Sequence, residues 1–282
     1  MAADQVTESV TYHGEGAVWS TLWGGLKCVD MLAGDVLSVD VSTGSVSRLH
    51  VGSPVAAAVR PRTRGGFVVA TEREFALWGD AGREWSSPAL WTGGIRFNEG
   101  SCDPLGRFLC GSMSYEGEAG AGAMWRLNLD GSTERLFEDV TISNGLGFTG
   151  AGDRAYYVDT RTRRIDLFDV EDGELVRRRP FVTVPEGVGN PDGLCVDAAD
   201  GVWVALYGGS AVRHYSRDGV LEDVVAVGAA QVTSCTLGGP ELSTLYITTS
   251  RENLSADEQP AAGAIFRAEV GVVGVPVLAS AL

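Results

Sequence analysis

One plan recurs six times along the 282 residues, at a spacing of about 40 to 48. Each copy opens on a polar or small residue, runs through a short apolar stretch, turns at a Gly or Asp cluster, and enters a second stretch ending in Ala, Ser, Thr or Asp. The clearest copies occupy residues 98–113, 144–160, 192–206 and 233–249, and weaker ones occupy 15–30 and 54–71. Between them lie further strand pairs with turn signals, at Asp130-Gly131 and Asp172-Gly173, which brings each unit to about four strands. Units of this length and content cannot bury their faces alone, and they are the mark of propeller blades. The repeat therefore predicts an all-β chain, a six-bladed β-propeller with four-stranded blades around a central channel, with residues 1–282 as a single domain. Residues 6–12 and 264–278 are expected to complete one shared blade, so that the ring closes without a free sheet edge. The 38 glycines suit many short strands joined by tight turns.

In such a ring the innermost strand of each blade lines the channel, so equivalent positions of different blades face one another across it. The six opening positions are Glu15, Pro54 or Val55, Asn98, Asn144, Asp192, and Thr233 or Ser234. Four are carboxylates or carboxamides. Converging on one channel, they are mutually repulsive or poorly satisfied without a cation or ordered water. One divalent metal ion resolves the conflict, since hard ions prefer oxygen donors and two carboxylates neutralise a 2+ charge. The alternative is that Asn and Asp before Gly are ordinary turn residues at the blade entrances.

The rest of the composition narrows the chemistry. Five dispersed cysteines without CxxC spacing indicate neither a disulfide frame nor a thiolate zinc site, and the three histidines form no HxxxH or HxH pair. Oxygen ligands admit calcium, magnesium, manganese, iron or zinc. A formal charge of -15 argues against nucleic acid or an anionic membrane as partner. No basic leader precedes an apolar stretch and no run approaches 18 apolar residues, so a cytoplasmic protein is expected, as a monomer or weak homo-oligomer. The GxSxG and GxxxxGK[ST] patterns are absent, which sets aside a serine nucleophile and a phosphate-binding loop.

An ordered set of motifs extends from about residue 10 to residue 270: GEG-x-x-W at 14–19, RFNEG-x-x-DP-x-GRF at 96–108, GSM at 111–113, SNGL at 143–146, PDGL at 191–194 and TSC-x-x-GG at 233–239. On these motifs the chain resembles the SMP-30, gluconolactonase and regucalcin-like family of metal-dependent lactonases. The resemblance implies Glu15, Asn144 and Asp192 as metal ligands, Arg96 and Asn98 as residues that orient substrate, and Glu116 as a contact to sugar hydroxyls. It also implies a small lactone, most of all a sugar (aldono-)lactone, as substrate. The base that deprotonates the attacking water must then be a carboxylate, with Asp192 the choice and Glu99 or Glu116 the alternatives. Glu99 stands where members of the family commonly carry Asp, one methylene shorter, and is expected to alter the reach of the substrate pocket. An organophosphate or fluorophosphate hydrolase and a non-catalytic calcium-binding regulator are the other readings that such a scaffold allows.

Overall fold

The structure, a computed structural model, describes residues 1–255 and 257–282. Its strands form six four-stranded antiparallel sheets arranged as the blades of a ring. The innermost strands are Gly14–Ser20, Ala56–Pro61, Ile95–Cys102, Ser143–Phe148, Asn190–Val196 and Val232–Gly238, so each of the six predicted copies opens at or within two residues of an inner strand. The turns between outer strands follow the expected chemistry. Asp172 and Gly173 both take positive φ, 50° and 81°, the twist a two-residue hairpin turn needs between strongly twisted strands.

The ring closes by pairing the two ends of the chain. Asp4–Gln5 forms the outermost strand of the sixth blade against Phe266–Glu269, outside Thr244–Thr249 and Val232–Gly238. A shared blade is thus present, but its N-terminal strand is Asp4–Gln5 rather than residues 6–12. Residues 6–12 instead run alongside residues 263–265, with the Val6 amide donating to the Ile265 carbonyl and the Thr11 amide to Gly263. On the C-terminal side only Phe266–Glu269 is strand. The chain beyond it leaves the blade and crosses the lower mouth of the channel. It is held at one end by the Gly274 amide on the Leu242 carbonyl (2.8 Å) and at the other by the Ser280 amide on Pro61 (2.7 Å).

Neighbouring blades are joined by apolar side chains. Phe75 of the second blade packs on Phe97 (4.6 Å) and Phe108 (5.7 Å) of the third, all three fully buried, each burial contributing about 1.5–3 kcal/mol. All five cysteines are free thiols. The Cys195 and Cys235 sulfurs face each other at 3.8 Å on adjacent inner strands. Among the described residues, no helix is long and apolar enough to cross a membrane.

One irregularity recurs in every blade. Between the inner strand and its neighbour the register slips by one residue near the upper end of the channel, after Glu15, Ala56, Phe97, Ser143, Pro191 and Val232. A bulge of this kind bends the strand and re-aims the side chains it contains. Asn98 and Glu99, Asn144 and Gly145, and Asp192 and Gly193 are the bulged pairs of the third, fourth and fifth blades.

Deleting residues 1–5 removes the closing strand and its ladder to Phe266 and Arg267. At about 1 kcal/mol per lost backbone hydrogen bond, the truncated chain is expected to melt several degrees lower than the full chain. Equal melting temperatures in a calorimetric scan would contradict the role given to that strand.

Candidate metal centre

The bulges aim polar side chains at one another across the upper channel. Glu15 is 3 % exposed, Asp192 5 %, Asn144 4 % and Glu99 2 %, and one carboxylate oxygen from each of Glu15, Glu99 and Asp192 lies within 4.8 Å of the others. Each side chain is fixed by its surroundings. Gly16, in the left-handed region at φ 57°, offers its amide to Glu15 Oε2 at 3.1 Å. Asn144 donates Nδ2 to Thr160 Oγ1 (2.9 Å), and that hydroxyl donates in turn to the Pro191 carbonyl (2.9 Å). The relay turns Asn144 Oδ1 inward, where it has no partner. Asp192 Oδ1 and Glu99 Oε2 are likewise buried without a hydrogen-bond donor.

Each of these three buried acceptor oxygens would cost roughly 1–3 kcal/mol or more unpaired, and a cation is a partner that would satisfy all three at once. The titration behaviour follows. Burial, then the charges of Asp192 and Glu99, hold the Glu15 carboxyl well above its ordinary value. Burial and then Glu99 do the same to Asp192, against the pull of the Gly193 amide and Asn144. Glu99 is raised by burial to about 7, with Arg60 and Ser234 drawing it back. The donor set, hard oxygens carrying excess negative charge, fits a divalent cation.

The second bulge position decides how Glu99 enters. In the fourth and fifth blades it is Gly145 and Gly193. A Cβ on Gly193 would stand 2.5 Å from Ser234 Oγ and 2.8 Å from Glu99 Oε2. The glycine therefore makes the room that the Glu99 carboxylate fills.

Above this cluster opens a cavity of about 480 Å³, lined among others by Glu15, Arg96, Asn98, Asn144 and Asp192. Arg96 is 9 % exposed and donates to the Phe97 carbonyl (3.0 Å) and to Asn98 Oδ1, with its guanidinium 5.9 Å from the Tyr115 ring centre. Asn98 Nδ2 is held by the Ser143 carbonyl at 2.7 Å. The structure therefore brings together all the residues singled out in the sequence except one. Glu116 stands exposed in the turn after Phe108–Ser114, outside the cavity lining. Glu99 lies with the carboxylate cluster rather than in that lining.

Several lining residues escaped the sequence reading. His13 bonds Ser250 Oγ through Nδ1 (2.8 Å), and its Nε2 is 3.8 Å from Glu15 Oε1. Burial, then Arg96, lowers it to about 3, so it is neutral near pH 7 and forms no true ion pair with Glu15. Tyr207, Arg161, Arg163 and Glu252 also line the cavity. These come from blade tops and connections, where no repeat register marks them. Glu99 did carry a signal, since Glu15-Gly16, Glu99-Gly100, Asn144-Gly145 and Asp192-Gly193 share a polar-then-glycine pattern.

The chain is similar to known proteins over most of its length. The model of the SMP-30/Gluconolactonase/LRE-like region matches residues 13–251. YvrE of Bacillus subtilis (strain 168), provisionally named a sugar lactone lactonase, is 33 % identical over 270 residues, covering 93 % of this chain and 92 % of its own. Pentonolactonase XacC of Haloferax volcanii is 33 % identical over 285 residues, covering 98 % and 97 %. Among solved structures, a calcium-binding regucalcin from Agrobacterium tumefaciens shares the fold, with a TM-score of 0.87 at 24 % identity over 98 % of this chain and 97 % of its own.

The raised Glu99 carboxyl makes a signed prediction. With cations chelated, the folded chain keeps a proton that the unfolded chain, at its ordinary 4.5, has released, so stability falls as pH rises toward about 7. Melting temperatures of chelated protein should therefore drop between about pH 5 and 7.5, and Glu99→Gln should flatten that slope. An unchanged slope in the variant would remove Glu99 from the cluster.

Proposed function

The chain belongs to the SMP-30/gluconolactonase/LRE-like family, and we propose that it hydrolyses small lactones, sugar lactones above all, with a divalent metal held by Glu15, Asn144 and Asp192. The observation that carries this reading is the cluster of unpaired buried oxygens beneath a polar cavity that also contains Arg96. The names of YvrE and XacC, both lactonases of similar length, support the choice of substrate.

A cation in this position supplies polarisation of the lactone carbonyl and compensation for the negative charge that develops on its oxygen. The remaining work falls to the chain. Arg96, anchored by the Phe97 carbonyl and Asn98, directs its free donors toward the lactone oxygens, and Asn98 holds that geometry because Ser143 fixes its amide. Asp192 accepts a proton from the attacking water as the new C–O bond forms. It returns the proton to the ring oxygen as the lactone C–O bond breaks, and the product is the open hydroxy acid.

Asp192 is favoured over the other bases near the cavity on physical grounds. His13 is held too acidic, at about 3, to take a proton effectively near pH 7. Glu99 is absent from the cavity lining, and Arg60 and Ser234 act on its carboxyl. Its extra methylene relative to Asp serves to reach the gap left by Gly193.

Asp192→Asn should fold and lose lactone hydrolysis by about 10²–10⁴-fold, the usual contribution of a positioned base. Glu15→Gln should lose activity chiefly through weaker metal binding, so that excess metal restores part of it. A pH-indicator assay of chelated protein against a panel of aldonolactones, repeated with each divalent ion, tests the whole reading. Metal-independent hydrolysis, or none with any ion, would turn the assignment away from a metal-dependent lactonase.

A further inference from the structure

The opposite end of the channel carries a second cavity, of about 300 Å³, which the lactone reading does not use. Its walls are the lower ends of the inner strands, with Leu146, Leu194 and Leu237 among them, and its floor is the C-terminal strap, through Val275, Val277 and Leu278. The strap is tied by backbone hydrogen bonds at residues 273–274 and 280–281, so the stretch between spans the mouth like a bridge. The cavity is mostly apolar.

One charge stands in it. Arg60, from the inner strand of the second blade, is 6 % exposed and lines this cavity. Its Nη1 donates to the Val59 carbonyl at 2.8 Å, and its Nε is buried with no partner. Among the described residues it forms no ion pair, and the strongest influence of opposite sign is Glu99, whose carboxylate belongs to the cluster above. A buried guanidinium left without a directly bonded anion is destabilising. The hydroxyls of Ser101 and Thr236 border the same space.

We propose that this lower cavity is a binding site for a small organic monocarboxylate, its carboxylate on Arg60 and its apolar body against the leucines and the strap. A guanidinium matches a carboxylate by paired N–H donors, and an apolar chamber with one charged pole selects an amphipathic acid over a sugar or an inorganic ion. The site is separate from the metal centre and does not depend on lactone hydrolysis.

Hexanoate is the probe, with hexanol as its neutral counterpart, titrated calorimetrically into metal-loaded protein. Saturable binding of hexanoate is expected, with hexanol weaker by at least about tenfold, as the loss of a charge-assisted hydrogen bond implies. Arg60→Met should weaken hexanoate by a similar factor. Val277→Phe, which fills the chamber and leaves the guanidinium in place, should do the same and decides the question if Arg60→Met fails to fold. Glu15→Gln should leave hexanoate binding unchanged, which separates this site from a carboxylate on the metal centre. No binding to wild type, equal binding of hexanol, binding that survives Val277→Phe, or binding lost in Glu15→Gln would overturn the proposal.

Discussion

Crowding around one axis governs this molecule. Six inner strands converge on the channel more tightly than ordinary side chains permit, and a Cβ at Gly145 would stand 2.7 Å from the Leu194 amide nitrogen. Glycine relieves the contact in some blades. Every blade also gives up one residue of ladder register, and the resulting bulge swings its side chains from the sheet face into the channel. The bulge that recurs in every blade is therefore the device that assembles Asn98, Glu99, Asn144 and Asp192.

Electrostatics sets the second condition. The upper channel concentrates carboxylates that water cannot solvate, and burial is the leading reason that Glu15, Glu99 and Asp192 all resist ionisation. Guanidinium groups flank the cluster on both sides, Arg96 in the cavity above and Arg60 in the chamber below. Neither fills the orphaned oxygens. The fold thus holds a preformed cluster of acidic and amide oxygens, an arrangement suited to accepting a cation.

Much of this was legible in the residues alone, for a definite reason. Blade repeats impose equivalent positions, so a polar residue at one opening position predicts its counterparts, and Glu15, Asn144 and Asp192 meet as the repeat implies. Glu99 was harder, because it occupies the second bulge position while the repeat was counted from Asn98. Offsets do not show which bulged residue joins the carboxylate cluster. His13 and Tyr207 line the cavity from outside the repeat register, and Glu116 sits in a Gly-rich turn whose path the pattern does not fix. The pattern predicts a shared closing blade but not its N-terminal strand, since Asp4 and Gln5 are polar and exposed and lack the apolar alternation that marks a strand.

The pairing of Asp4–Gln5 with Phe266–Glu269 also has a bearing on how the molecule comes into being. A ribosome delivers Asp4–Gln5 long before its partner, so that strand stays unpaired until Phe266–Glu269 has emerged. Contacts of such long sequence separation are assembled slowly, and an unpaired sheet edge is prone to capture by other chains in the interval. The polar, two-residue Asp4–Gln5 strand shortens that sticky edge on one side. The other side, Phe266–Glu269, alternates buried and exposed residues, with Arg267 and Glu269 facing out as charges that discourage a foreign strand from docking first.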